Sequence, residues 1–363
     1  MSGDRLINIE LRMKKVSILV STIDSGGAEK QAVLLASQLA KHTEVNLIVL
    51  YGDHTEYQRN LELLSRADIK VYRLIGNMLS KMKRIRNILL DSETDVLLNY
   101  LTMPDLVGSL LGHMCGIRVY NGIRNSRMSR RKMIVEKIAH NYLATGTIYN
   151  CYSGAYYFGN LGFKRDKNIV IPNCFPDIEE PIIRSDNHIK TIITVGRFDP
   201  QKDYKTLIES VAKLKRNDFR LCIVGYGALE MQIRAWLKDF CIEHVTDIYI
   251  KPNNVSELER NADIYISTSL FEGTSNSIME AMNWSLPVVA TNVGDNDHLV
   301  IDGENGFLHS VGDVSGLSAS LSQLLDSSEL RNQMGQKSNQ TLRDNYSMNS
   351  FEERYLELIE GNR

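Results

Sequence analysis

The chain has 363 residues, 43% of them apolar and 24% charged, with a formal net charge of −2. That length exceeds one ordinary core and that composition excludes a disordered or fibrous chain, so two domains are expected. Five scattered cysteines (Cys115, Cys151, Cys174, Cys222, Cys241), none in C-x-x-C spacing, argue against a disulfide framework or a zinc site and for a reducing compartment.

No apolar run approaches the roughly 20 residues that span a bilayer, and "MSGDRLINIELRMKK" lacks a secretory signal. A cytoplasmic protein is expected, with residues 1–13 a disordered lead-in. Charge is uneven: residues 1–172 hold 24 Lys and Arg against 15 Asp and Glu, or +9, and the remainder 18 against 29, or −11. Such a split predicts that the first half faces something anionic.

In chain order, "VSILVS" predicts a strand at 16–21, followed by a helix from Ala28 to about Ala40 and the strand "VNLIVLY". Strands "IKVYRL", "DVLLNYL", "IRVYNG" and "NIVIP" follow, with helical periodicity between most of them. Runs apolar on both faces that alternate with helices indicate parallel sheets in an α/β fold. "IPNCFPDIEEPIIRSDNH" has three prolines and no period, and reads as a linker. A second series then runs through "IKTIITVG", "FRLCIVG", "VTDIYI", "ADIYIST" and "LPVVAT", with a helical tail from about Val314. The expectation is two doubly wound domains, 1–173 and 189–346, joined by a linker at 174–188 and closed by a C-terminal helix over 347–363.

Ligands of such sheets bind beyond the carboxyl ends of the strands. After the first strand, Gly26 and Gly27 open a helix, where backbone could approach a phosphate, although neither the dinucleotide nor the P-loop signature is met. After the first strand of the second domain, Arg197 and Lys202 share the loop of "VGRFDPQKDYKTL"; two converging cations suit a diphosphate. Gly225 and Gly227 bracket a tight turn that could admit a flat base against backbone. In "FEGTSNSIMEAM", Glu272 lies just past a strand end beside Gly273, Thr274 and Ser275, and Asn276 or Ser277 should start the next helix. Ser277 and Glu280 also fit a capping box, a structural reason for Glu280.

The ordered set "GGAE", "GRFDPQKD", "FEGTSNSIMEAM", "LPVVATNVGDNDHLV" and "ENGFLH" resembles the retaining glycosyltransferases of family 4. The resemblance covers roughly residues 14–345 and implies the GT-B fold, two Rossmann-like domains facing each other across a cleft. It implies that Gly26 and Gly27 approach a donor diphosphate that Arg197 and Lys202 neutralise. Glu272 would face the transferred sugar, and Glu280 the nucleotide ribose. Backbone from Gly273 to Asn276, with Gly225, would complete the donor pocket. It further implies a nucleotide-sugar substrate, UDP-sugar first, with no metal and no other cofactor, and a C-terminal helix that crosses back to the first domain. Relatives often carry a His after the strand matching "IRVYNG"; here Arg124 and Asn125 stand nearest, and either one of them takes over the sugar or acceptor contact or that contact is absent. "DND" (Asp295–Asp297) looks like a metal clamp of another glycosyltransferase fold, but its position argues against one.

Residues 118–137 carry seven basic side chains and one acid. Arg127, Arg130 and Arg131 with Ile134 and Ile138, and Lys81, Lys83 and Arg84 on a second helix, predict docking on an anionic membrane surface or grip on a lipid-linked diphosphate. Nucleic acid is not expected, since no aromatic interleaving accompanies the charge. The sequence thus predicts a glycosyltransferase acting on a glycan or lipid-linked acceptor at the cytoplasmic face of a bacterial inner membrane, in surface polysaccharide or glycoconjugate biosynthesis. A nucleotide-sugar epimerase of similar architecture and a non-catalytic nucleotide-sugar binding protein are its alternatives.

Overall fold

A computed structural model of the chain describes residues 14–24, 27–54, 56–124 and 128–361. The chain divides into two compact units. One holds the residues up to Asn150, Gly154–Ile171 and those from Glu352 onward; the other holds Cys151–Ser153 and Pro172–Phe351.

The first unit is built on strands β1 (Val16–Val20), β2 (Val45–Val49), β3 (Lys70–Arg73), β4 (Val96–Asn99), β5 (Arg118–Ile123), β6 (Gly146–Tyr149) and β7 (Asn168–Val170). They form one sheet in the order β3-β2-β1-β4-β5-β6-β7, parallel throughout. All residues of β1, β2 and β4 are buried, which is why these strands read as unbroken apolar runs.

Between them run helices α1 (Gly27–Leu39), α2 (Gln58–Arg66), α3 (Met78–Asp91), α4 (Thr102–Cys115), α5 (Arg130–Ile138) and α6 (Tyr152–Asn160). After β3 the chain returns to the far side of β1, so right-handed crossovers put α1 and α2 on one face and α3, α4 and α5 on the other. Packing agrees: α1 lies on α2, α3 on α4, and α4 on α5. Ile85 and Leu89 of α3 and Val107 and Leu111 of α4 close over Leu19, Ile48, Leu97 and Val119 of the sheet.

The second unit's strands are β8 (Lys190–Arg197), β9 (Phe219–Tyr226), β10 (Thr246–Ile250), β11 (Ile264–Ser267), β12 (Val288–Thr291) and β13 (Gly306–His309). Their order is β10-β9-β8-β11-β12-β13, again all parallel. Its helices are α7 (Tyr204–Ala212), α8 (Glu230–Asp239), α9 (Val255–Arg260), α10 (Asn276–Asn283), α11 (Asn296–Leu299), α12 (Val314–Asp326) and α13 (Ser328–Tyr346). A last helix, α14 (Met348–Glu360), contributes its residues from Glu352 to the first unit. Both units are therefore doubly wound, Rossmann-like α/β folds, as the sequence predicts. Every predicted strand is present; β6 and β13 were not predicted, because each is four residues long and opens on a glycine.

Residues 174–188 form no helix or strand, yet they are laced onto the second unit. Glu179 N–H donates to Asn283 Oδ1 and Ile182 N–H to Ser285 Oγ. The Arg184 guanidinium donates to four carbonyls, those of Arg260, Ala262, Trp284 and Ser285. It thereby ties together the C-terminal ends of α9 and α10, where the peptide dipoles favour a cation.

Candidate active site

Strands β8 and β11 are neighbours at the centre of the second unit's sheet, and the connections leaving them diverge. The loops past their carboxyl ends meet at this switch point. The first loop is held by its own caps: Asp199 accepts from Gln201 N–H, and Asp203, at φ 44°, accepts from the N–H and hydroxyl of Thr206 at the start of α7. The second loop is stitched to the first. Thr268 donates its hydroxyl to the carbonyls of Lys202 and Asp203, Leu270 N–H donates to Gln201 O, and the Gln201 amide donates to Phe271 O. Across this seam Lys202 Nζ lies 2.6 Å from Glu272 Oε1.

Around that pair opens a cavity of about 340 Å³, lined by Arg197, Gln201, Lys202, Glu272, Thr274, Ser275, Asn276, Ser277 and Glu280 among others. Seven residues singled out in the sequence are thus brought together. Arg197 is exposed and lies 3.4 Å from Asp199. Helix α10 begins at Asn276 with Ser275 as its N-cap, and no side chain caps it, so its first N–H groups are available to an anion. This corrects the capping-box reading: Ser277 is already inside the helix, two positions past the N-cap. Glu280 lines the cavity, and burial raises its carboxyl above the usual range.

Three supporting residues escaped the sequence reading. Gly294 packs so closely on the carbonyls of Glu272 and Gly273 that a side chain would not fit. Asp295 is buried and accepts from Thr274 Oγ1 at 3.1 Å and from the N–H groups of Tyr152 and Ser153 at 2.8 and 2.7 Å. Its carboxylate is thereby committed to holding the loop. Among the described residues, no group of three or more His, Cys, Asp or Glu is arranged to hold a metal ion. Glu259 of α9, packed against α10, is fully buried, and burial together with the charge of Glu280 pushes it up to about 8.

A second cavity, of about 410 Å³, shares Val195, Gly196 and Arg197 with the first and continues along Gly225, Tyr226, Lys251, Pro252 and Val255. Lys251 Nζ stands 4.5 Å from the centre of the Tyr226 ring. A Cβ on Gly225 would overlap the Gly196 carbonyl oxygen. Lys251-Pro252, directly after β10, was the available signal for this wall.

The first unit holds the remaining predicted residues. Gly27 opens α1 with open space around its Cβ position. Gly26, Asn125 and Arg127 lie outside the described residues. Arg124 donates to the Tyr355 hydroxyl at 2.9 Å and lies 4.8 Å from the Tyr100 ring, so its guanidinium is tied to two tyrosines of this unit. Just past β4, Leu101 adopts φ 77°, an unusual conformation for a branched side chain. Lys83, Arg84, Arg130 and Arg131 are exposed. Lys81 is not: it is 6% exposed and lies 4.8 Å from the Tyr51 ring, which corrects its placement on a membrane face.

Residues 177–341, which carry the cavity between β8 and β11, match the family model of the glycosyl transferases group 1. They form a group 1 glycosyl transferase domain. Over 362 residues, covering 96% of this chain and 98% of the relative, the protein is 22% identical to the GalNAc-alpha-(1->4)-GalNAc-alpha-(1->3)-diNAcBac-PP-undecaprenol alpha-1,4-N-acetyl-D-galactosaminyltransferase of Campylobacter jejuni. Among solved structures, the lipopolysaccharide outer core galactosyltransferase WaaB superposes with a TM-score of 0.75 at 14% identity, over 96% of this chain and all of that one. Anabaena Alr3699/HepE in complex with UDP superposes with a TM-score of 0.74 at 17% identity, over 95% and 99%. The fold is the GT-B fold of these glycosyltransferases, and the cavity lined by Arg197, Lys202 and Glu272 lies within the matched residues.

Proposed function

We propose that the protein is a retaining glycosyltransferase that moves a sugar from a UDP-sugar to a lipid-linked or glycan acceptor in bacterial surface-glycoconjugate synthesis, without a metal. The observation that carries this reading is the Lys202–Glu272 pair beside Arg197 and the uncapped start of α10, all in one cavity. Two cations and a helix N-terminus suit a diphosphate. Negative charge grows on that diphosphate as the sugar–phosphate bond breaks, so groups fixed in advance act where the transition state needs them. Arg197 and Lys202 take the place of a metal in neutralising the diphosphate, and the acceptor hydroxyl attacks the anomeric carbon from the face the diphosphate leaves, giving its proton to the departing phosphate oxygen, so that configuration is retained. Glu272 accepts from the sugar hydroxyls, Glu280 from the ribose, and the cavity along Gly225 and Lys251 takes the base. The first unit supplies the acceptor side and rests on an anionic membrane surface on the cytoplasmic side of the inner membrane. That the Campylobacter relative is named for an undecaprenol diphosphate substrate and that Alr3699/HepE was solved with UDP support the choice of acceptor and donor.

Thermal melting with UDP, GDP, ADP and CMP tests the reading. A nucleotide at about 100 times its Kd adds about 2.7 kcal/mol, which for domains of this size is about 5–10 °C in Tm. The expected result is a shift with UDP that disappears in Arg197→Ala/Lys202→Ala. A folded protein that shifts with none of the four overturns it.

A further inference from the structure

The layer formed by α3, α4 and α5 on one face of the first unit's sheet carries three acids of its own, and the fold hides two of them. Helix α4 has one acid, Asp105, and α5 has one, Glu136. They are 0% and 2% exposed. Asp105 accepts from Gly122 N–H at 3.0 Å, and Glu136 hydrogen-bonds with Thr102 and Asp105, while burial pushes it up to about 7. Helix α3 has one acid, Asp91, its last residue. Asp91 is exposed, and the other charges that remain outward are cationic: Lys83, Arg84 and Arg86 on α3, Arg130, Arg131 and Lys132 on α5.

The same elements carry large apolar side chains that are exposed. Leu79 of α3 is 79% exposed. On α5 and the turn after it, Ile134, Ile138 and Tyr142 are 59%, 50% and 69% exposed. They recur at intervals of four, so they share one outward stripe. A solvated helix face presents mixed charges; a face with its carboxylates withdrawn, its cations outward and a Tyr-tipped apolar stripe fits the interface of an anionic bilayer. Among the described residues no helix is long and apolar enough to cross a membrane.

We infer that the outer face of α3, α4 and α5 is a docking surface for an anionic lipid bilayer, with Ile134, Ile138 and Tyr142 entering the headgroup layer and Lys83, Arg86, Arg130 and Arg131 pairing with lipid phosphates. The inference rests on the membrane-face reading above and gives it a definite surface and a lipid class. A bilayer is favoured over a protein partner because Arg130, Arg131 and Lys132 share α5 with the apolar stripe, and the one outward acid of the three helices is Asp91 at the end of α3, too few for a self-complementary contact.

The test is sedimentation with vesicles of phosphatidylcholine alone and with one-third phosphatidylglycerol, at low and high salt, with UDP-induced melting measured on the same samples. The full chain is expected to bind only the anionic vesicles and to bind more weakly at high salt. Each cation near the surface is worth about fivefold in partitioning, so Arg130→Ala/Arg131→Ala should cost about 25-fold. Ile134→Asp/Ile138→Asp should cost at least tenfold, and both variants should keep the wild-type melting behaviour with UDP. Equal binding to both vesicles, or undiminished binding by both variants, overturns the inference. So does a self-association that Ile134→Asp/Ile138→Asp abolishes, or a tighter complex with an RNA oligonucleotide than with the vesicles. Loss of the UDP shift in wild type with vesicle binding intact would count against the donor reading and leave the docking surface standing.

Discussion

Lys202 Nζ and Glu272 Oε1 meet at 2.6 Å across the seam between two loops that belong to adjacent, diverging strands. Both side chains are largely buried, at 17% and 11% exposure. Each therefore holds the other in a site that would otherwise carry an uncompensated charge.

Replacing Lys202 by Met should leave Glu272 buried and alone, costing about 3 kcal/mol of stability and abolishing the UDP shift. Glu272→Gln keeps the shape and an acceptor for Lys202. It should lose less stability than Lys202→Met, because Lys202 keeps a hydrogen-bond acceptor although it loses its counter-charge, and still bind UDP, while transfer from the UDP-sugar falls about 10²–10³-fold. Melting curves and donor turnover on the two variants check this. Full turnover by Glu272→Gln would remove Glu272 from the chemistry.

The two glycines of the site should differ in their tolerance of alanine. Gly225 faces the Gly196 carbonyl with no room for a Cβ, whereas the nearest atom to a Cβ on Gly273 is Cys151 Sγ at 4.0 Å. Gly225→Ala should cost about 1–3 kcal/mol and weaken nucleotide binding. Gly273→Ala should stay within about 0.5 kcal/mol of wild type. Equal losses in denaturant titrations would mean that the β8–β9 approach is softer than its spacing suggests.

Glu259 makes a prediction about pH. Its carboxyl is at about 8 in the folded chain against about 4.3 when unfolded. Between those values the folded state keeps a proton that the unfolded state has lost, so stability falls as pH rises. The contribution is intact below about pH 4.3 and gone above about pH 8. Glu259→Gln has no proton to lose, so its Tm should gain on wild type steadily from pH 5 to pH 8. Parallel Tm–pH curves for the two proteins would show that the carboxyl is not raised.

The sequence made the architecture legible because buried parallel strands announce themselves as apolar runs such as "VSILV" and "TIITV". It also made the main site legible, since Arg197, Lys202 and Glu272 each follow such a run directly. What could not be read depends on direction. Lys81 and Lys83 are two residues apart on one helix, yet the first turns inward onto Tyr51 and the second outward. The start of α10 two residues earlier than a Ser277 cap requires decides whether Glu280 serves the helix or the cavity. Arg124 looked like a free contact in place of a His; its partner Tyr355 lies 231 residues away, beyond any local pattern. Asp295 likewise reaches its partners only through the fold.

The Arg184 guanidinium that gathers the carbonyls of Arg260, Ala262, Trp284 and Ser285 also fixes where this protein can be cut. A fragment begun at β8 would contain every residue of the cavity and still strand four carbonyls at the ends of two helices, one of which carries Glu280. The smallest autonomous fragment must therefore begin upstream of Arg184. The stretch that reads as a connector is, thermodynamically, the first piece of the second unit's foldon.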